Sequence, residues 1–130
     1  MRSLENDLRM KHAYDHVEPI AKWDKKSQGK YKSLAKSFPA MVQNNGLAVA
    51  IAFLNTKGEQ HHQSLFDELQ NQITITPLIN YNGKPNDLMK LITTLSREEY
   101  RLVSKEVMLY AQWIKRFAEG MLESGETKSE

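Results

Sequence analysis

Residues 96–121 read SREEYRLVSKEVMLYAQWIKRFAEGM, and this stretch decides the fold class. Ser96 and Glu99 have the spacing of a capping box, in which a hydroxyl and a carboxylate satisfy two free amides at the start of a helix. Apolar residues then recur every three or four positions for about six turns: Tyr100, Val103, Val107, Tyr110, Ala111, Ile114, Phe117, Ala118 and Met121. This pattern predicts one long amphipathic helix with a single face in a core.

The preceding residues also have helical spacing. A stripe that includes Ala13, Tyr14, Val17 and Ile20 predicts a first helix over residues 3–26, with a kink or a break at Pro19. A turn is expected at 27–29, followed by a helix from residue 30 and a new helix capped by Ser37 ahead of Pro39. Residues 43–46 either interrupt or continue that helix. A fully buried helix over 47–54, a helix over 59–72, a loop over 73–86 and a short helix over 86–94 are expected next. The predicted fold is all-α, a single compact bundle of about six helices with long first and last helices. It forms one domain over residues 1–122, followed by a polar, frayed tail over 123–130.

Composition excludes several classes of protein. The 130 residues fit one domain, and 40% of them are hydrophobic, which is enough for a core. No cysteine is present, so disulfides, thiolate metal sites and thiol catalysis are excluded. The longest apolar run, Leu47–Leu54, is far shorter than the roughly 20 residues that cross a bilayer, and residues 1–8 are charged and lack the apolar core of a signal peptide. We expect a cytoplasmic protein with no membrane partner.

Positive charge is concentrated in the first half of the chain. Residues 1–57 hold ten Lys and Arg against five acids, whereas residues 58–130 hold eight against eleven. Lysines neutralise phosphates and an exposed aromatic ring can stack on a base, so a basic run interleaved with Trp23, Tyr31 and Phe38 suggests a polyanion such as RNA. The alternative is a solvated corner with Tyr31 and Phe38 in the core. The run consists of Lys22, Lys25, Lys26, Lys30, Lys32 and Lys36.

The last helix carries a second basic face and a second apolar one. At 100° per residue, Arg101, Lys105 and Arg116 share one side, where arginine can hold a phosphate with two parallel donors. The alternative is that these cations pair with Glu98 or other acids of the same helix. Three apolar residues outside the main stripe are candidates for a subunit interface: Leu102, Leu109 and Trp113.

The histidines allow an enzymatic alternative. Arg9 and His16 lie seven residues apart on one face of the first helix, a spacing similar to that of the Arg and His of HEPN ribonucleases, in which the His is a general base. HEPN domains usually carry the pair on a late helix. His61 and His62 are neighbours that we expect to face different directions, and His12 lacks enough companions for a metal. We expect no catalytic residue, no metal and no cofactor.

Several segments, in this order, resemble the small-subunit family of the Cmr (type III-B) CRISPR RNA-targeting complexes. They run from Arg9–Ala13 with Val17, through Lys30–Tyr31 and Phe38–Val42, to an Ala-rich helix that follows Gln43–Gly46. The most specific segment is the ending, with Tyr100, Arg101, Glu106 and the stretch Trp113–Ala118. The resemblance extends over residues 5–122.

This resemblance implies a non-catalytic protein of antiviral defence. Such subunits are helical bundles whose copies stack in an inner filament beside the subunits that hold the guide RNA, and they help to position the target strand. The implied partners are other Cmr subunits, the guide RNA–target RNA duplex region and further copies of the chain. Lys30, Tyr31, Arg101, Lys115 and Arg116 lie within the resembling segments, so they are expected to contact RNA or a neighbouring subunit. Lys22, Lys25, Lys26 and Lys36 are candidates on local charge alone. A protein–protein interaction module without RNA contact remains the third alternative.

Overall fold

The computed structural model describes residues 4–75 and 87–124, and within them every element is an α-helix. The six helices are α1 (Leu4–Ile20), α2 (Lys25–Asn45), α3 (Leu47–Lys57), α4 (Gln60–Ile75), α5 (Leu88–Thr94) and α6 (Arg97–Met121). The predicted all-α class and helix number are confirmed. Most of the predicted loop over 73–86 and of the tail lies outside the described residues. The chain divides into two compact units, Met1–Pro39 with Leu109–Glu130, and Ala40–Met108.

In the first unit, the turn between α1 and α2 lies earlier than predicted. Helix α1 ends at Ile20, one residue after Pro19, and residues 21–24 form the turn. The predicted turn at 27–29 is wrong because Asp24 starts a helix there: its carboxylate accepts hydrogen bonds from the Ser27 amide at 3.0 Å and the Ser27 hydroxyl at 2.7 Å. Gln28, buried at 6% exposure, donates to the Ala21 and Trp23 carbonyls and accepts from the Glu123 amide, which fixes the turn to the end of α6.

Helix α2 continues through Pro39, so the predicted new helix at Ser37 is also wrong. Ser37 does not cap a helix; its hydroxyl donates to the Leu34 carbonyl within α2. A proline inside a helix costs about 3 kcal/mol. The buried side chains of Phe38 and Val42, before and after Pro39, offset that cost by keeping the apolar face of α2 continuous.

The core of the first unit consists of apolar faces from α1, α2 and the end of α6. The predicted stripe of α6 is confirmed here for Tyr110, Ala111, Ile114 and Ala118, which are buried, whereas Phe117 and Met121 are half-buried. The other fully buried residues of this core are Ala13, Val17, Tyr31, Ala35 and Phe38. Tyr14, which we placed in the stripe of α1, is instead exposed, with its ring against Phe117.

In the second unit, Gly46 separates α2 from α3. Its φ of 90° and ψ of 159° belong to a region that only glycine adopts readily, so the helical pattern breaks at this residue. The freed amide of Ala48 donates to the Tyr100 hydroxyl at 2.8 Å. Helix α3 buries Leu47, Ala50, Ile51 and Leu54 at regular helical spacing.

The expectation that residues 47–54 form a helix buried on all sides is wrong, because Val49 is 55% exposed. The apolar side chains of this segment contribute to the core along one face only. Apolar residues on every side of α3 therefore do not mean that every side of this helix is buried.

Capping residues fix the remaining elements of the second unit. Helix α4 extends to Ile75, past the predicted end at residue 72, because Ile73 is buried and continues its apolar face. Asp87 caps α5 by accepting from the Met89 amide. The capping box of α6 is confirmed, with Ser96 N–H donating to Glu99 at 3.0 Å and Glu99 N–H donating to the Ser96 hydroxyl at 3.1 Å. None of the described helices is long and apolar enough to cross a membrane.

Candidate nucleic-acid interface

The lysines at the start of α2 form an exposed basic face in the first unit. Within the described residues, the ammonium groups of Lys22, Lys26 and Lys36 have no acidic side chain as an ion-pair partner. Lys25 lies 4.0 Å from Glu123. Because the buried face of α2 takes the opposite side, the charges are directed to solvent. Five lysines of the run are exposed, namely Lys22, Lys25, Lys26, Lys30 and Lys36, whereas Lys32 is half-buried and donates to the Leu122 carbonyl at 3.1 Å.

Asp24, the one acid within this basic run, is occupied by the helix backbone. Its hydrogen bonds with the side chain and amide of Ser27 hold the pKa of its carboxyl below the ordinary value. The carboxylate therefore caps α2 instead of pairing with a lysine, although its charge still reduces the local positive potential.

The aromatic residues interleaved with the lysines do not form a stacking surface for bases. Tyr31 and Phe38 are completely buried, and Trp23 is half-buried, with its ring centre 6.1 Å from that of Tyr31 in an edge-on arrangement. The stacking interpretation is wrong for Tyr31 and Phe38, because their rings form the core of the unit. Tyr31 and Phe38 therefore offer no ring to a base, and the exposed charges of this face are those of its lysines.

The cations of α6 fall into two groups. In the second unit, Arg101 is already engaged by Glu98 through two hydrogen bonds of 2.6 and 3.1 Å, which hold the pKa of Glu98 below its ordinary value. Lys105 is exposed and, in the part of the chain that the structure describes, forms no ion pair. In the first unit, Lys115 is half-buried and the Arg116 guanidinium lies 5.2 Å from the centre of the Trp113 ring.

Trp113 belongs to a row of contacting aromatic rings on the first unit. Its indole N–H donates to the Asn6 side chain at 3.0 Å, and its ring stacks on Phe117, which in turn meets the edge of Tyr14. Trp113 is half-buried, whereas Tyr14 and Leu109 are about 40% exposed. Leu102, the remaining candidate, is half-buried in the second unit. The row presents apolar surface beside the Arg116 charge.

His16, the proposed general base, is a half-buried structural residue. Its Nε2 lies 2.7 Å from the hydroxyl of the fully buried Tyr31. The loss of solvent around the imidazole lowers the pKa of His16 from 6.5 to about 4. His16 packs against the core residue Tyr31, with the two ring centres 5.6 Å apart in an edge-on arrangement, so it does not lie on a face that a substrate could reach freely.

We had expected His61 and His62 to face different directions, and this expectation is wrong. Their ring centres lie 4.0 Å apart, and the side chain of Glu59 joins them so that one ligand atom from each residue lies within 4.8 Å of the others. Burial is the main cause that lowers the pKa of His62. The sequence signal was Glu59-Gln60-His61-His62, three ligand-type residues within four positions at the start of a helix.

The fold and surface define a small all-α protein with an exposed basic face. A family model described as CRISPR-associated protein (Cas_Cmr5) matches residues 5–121, and the chain belongs to this family. The curated protein "CRISPR system Cmr subunit Cmr5" of Thermus thermophilus is 28% identical over 111 residues, which cover 85% of this chain and 90% of that protein. The crystal structure of a CRISPR-associated Cmr5 family protein, also from Thermus thermophilus, matches with a TM-score of 0.75 and 27% identity, over 95% of this chain and all of that one. The resemblance stated from the sequence is thereby confirmed.

Proposed function

We propose that this chain is a non-catalytic small subunit of a type III-B (Cmr) CRISPR effector complex in the cytoplasm, where it positions target RNA through backbone phosphate contacts. Copies of the chain stack in an inner filament beside the subunits that carry the guide RNA. Membership of the Cmr5 family over nearly the whole chain supports the assembly. The RNA contact is supported by the exposed lysine face of α2 and of the turn before it. In this face, Lys22, Lys26 and Lys36 have no acidic ion-pair partner among the described residues.

The contact is electrostatic and independent of base sequence. Lysine neutralises phosphate without reading a base, and the interleaved rings of Tyr31 and Phe38 are not accessible for stacking. In a guide-directed complex the pairing between guide and target already supplies sequence specificity. Lys25, Lys30, Lys105, Lys115 and Arg116 extend the proposed RNA-facing or neighbour-facing set. Arg101 is a weaker candidate because a phosphate would have to displace Glu98.

The aromatic row is the proposed contact with a neighbouring subunit. Trp113 is held by Asn6 and Phe117, so little side-chain freedom remains to be lost when a partner covers it. Leu109 and Tyr14 add exposed apolar surface on the same unit, and Leu102 is proposed for a neighbour contact of the other unit. Tryptophan and arginine are among the residues most enriched at the positions that dominate binding energy in interfaces.

The ribonuclease alternative finds little support in the geometry around His16. A general base near neutral pH must reach the proton that it abstracts and must have a pKa near the working pH. His16 instead packs against Tyr31, and its pKa lies at about 4.

Charge reversal in the reconstituted effector complex tests the proposed RNA contact. The variant carries Lys22→Glu, Lys26→Glu and Lys36→Glu, and the control carries Lys11→Glu, Lys90→Glu and Arg97→Glu, which make the same change of charge at other exposed sites. Target-RNA affinity is measured across a range of salt concentrations. Since each phosphate contact on a single strand contributes about 0.7 to the slope of log affinity against log salt, we expect the slope to fall by about 2 in the variant only.

Two outcomes would reject the proposal. If the variant assembles normally and keeps the slope of the wild type, the chain is an interaction module without RNA contact. If it no longer enters the complex while the control does, the lysine face meets a protein neighbour. Metal-independent RNA cleavage by the purified chain, abolished by His16→Ala, would instead establish the ribonuclease.

A further inference from the structure

A cluster of three ligand-type side chains lies between α3 and α4, within the second unit and outside the proposed RNA-facing set. Gly58 ends α3 in the left-handed conformation, with a φ of 67°, and reverses the chain ahead of α4. Glu59 follows directly, and His61 and His62 lie in the first turn of α4. The reversal also places the Phe53 ring 5.5 Å from that of His62.

The buried nitrogen of His62 is the second, independent observation. The His62 side chain is only 8% exposed, and its Nδ1 atom forms no hydrogen bond with the described residues. A buried polar atom without a partner costs about 1–3 kcal/mol, so such atoms are rare in native structures. The nearest acidic atom is Glu59 Oε2, 3.9 Å from Nδ1, too far for a hydrogen bond but close enough for both atoms to share one ion.

We propose that Glu59, His61 and His62 bind one divalent transition-metal ion, of which Zn²⁺ fits best. Zinc takes imidazole nitrogen and carboxylate oxygen together, at about 2.0–2.2 Å in tetrahedral geometry, so its ligand atoms lie roughly 3.3–3.5 Å from one another. The three ligand atoms here lie within 4.8 Å of one another. Rotation of the exposed Glu59 side chain closes the remaining gap, and the ion satisfies the buried Nδ1.

The ligand chemistry selects among metal ions. Two imidazoles and one carboxylate disfavour Mg²⁺ and Ca²⁺, which prefer oxygen ligands, and favour Zn²⁺, Co²⁺ or Ni²⁺. Three protein ligands leave the fourth position of a tetrahedral ion to water or to a donor from outside the chain. Lys57 opposes the ion, but its ammonium is exposed and lies 5.8 Å from the Phe53 ring centre, so solvent screens the repulsion.

The test uses the full chain without an affinity tag, stripped of metal with a chelator and titrated with ZnCl₂ against a chromophoric competitor. We expect one Zn²⁺ per chain, a rise in melting temperature on binding, and visible absorption typical of tetrahedral coordination when Co²⁺ replaces Zn²⁺. Glu59→Gln and His61→Ala should each weaken binding at least about tenfold, since even loss of an outer-shell partner costs 10–100-fold. His12→Ala is the matched control, a histidine of α1 in the other unit.

His62→Asn should abolish binding, but this buried substitution can also unfold the chain, so circular dichroism accompanies it. The two variants of the less buried ligands keep the test decisive, because their side chains do not fill the core. A wild-type chain that binds no stoichiometric Zn²⁺ overturns the proposal. So does unchanged affinity in Glu59→Gln and His61→Ala, or equal loss in His12→Ala, which would mean adsorption to any surface histidine. None of these results bears on RNA binding by the lysine face.

Discussion

The environment of His16 predicts that the chain loses stability between pH 7 and pH 5. In the unfolded chain this imidazole has its ordinary pKa of 6.5, whereas loss of solvent beside Tyr31 lowers the pKa in the folded state to about 4. As the pH falls below 6.5, the unfolded state takes up a proton that the folded state excludes. Folding is therefore penalised progressively until the pH reaches about 4, where the folded state is protonated as well.

The size of the effect follows from the two pKa values. Each pH unit between them shifts the free energy of unfolding by about 1.36 kcal/mol. Between pH 6.5 and pH 5 the penalty therefore reaches about 2 kcal/mol, a large share of the roughly 5–15 kcal/mol that stabilises a typical domain. Most carboxylates are still ionised at pH 5, so the histidine contribution dominates in this interval.

Urea denaturation at pH 7 and pH 5, followed by far-ultraviolet circular dichroism in metal-free buffer, measures the effect. The comparison protein is His16→Gln, which keeps a hydrogen-bonding side chain but does not titrate. His62 is present in both proteins, so its own contribution cancels in the difference. The wild type should lose about 2 kcal/mol more than His16→Gln on acidification. Equal losses in the two proteins would refute the desolvation argument and restore His16 as a candidate for proton transfer.

Three further substitutions test local contacts by urea denaturation at pH 7. Gln28→Ala removes three hydrogen bonds of a buried amide and should lower the free energy of unfolding by about 3 kcal/mol. The control, Gln63→Ala at an exposed position, should be nearly neutral, and similar losses in the two variants would contradict the role of Gln28. Ser96→Ala removes the capping hydroxyl and should cost about 1 kcal/mol, an effect that Ser96→Thr should largely avoid. Gly46→Ala should cost about 1–3 kcal/mol through backbone strain, and a neutral result would mean that the chain relaxes around this position.

Apolar spacing was sufficient to predict the fold class, but it did not locate the breaks between helices. The capping box at Ser96 identified the start of α6 because the decisive contacts lie within four residues. The position of the turn at residues 21–24 was not predicted, because two sets of contacts determine it. Asp24 caps α2 locally, but Gln28 also depends on a hydrogen bond from the Glu123 amide, far away in the sequence. Pro39 was read as a boundary because a single sequence cannot reveal that core packing outweighs the local cost of a proline.

In the candidate site, too, local features could be predicted from the sequence, whereas contacts between distant residues could not. The basic run was evident from local charge, and Lys22, Lys26 and Lys36 in it are exposed. The spacing of Arg9 and His16 looked catalytic because sequence alone does not show that Tyr31 lies against the imidazole. The grouping of Glu59, His61 and His62 was not predicted, because adjacent residues of a helix project about 100° apart and the sequence does not show how their side chains rotate.

Pairing, more than exposure, separates the cations that are available to a phosphate from those that an acid already holds. Arg101 is exposed like Lys26, yet its guanidinium is held by Glu98 through two hydrogen bonds, so a phosphate must compete with a carboxylate already in place. Lys26 has no such competitor among the described residues, and the local acid, Asp24, is committed to capping α2. Binding a phosphate at Lys26 therefore breaks no existing ion pair and releases counterions. Two exposed cations therefore differ in their availability to a phosphate. The acid near Lys26 is held by the helix backbone, whereas the acid near Arg101 is free to pair with the guanidinium.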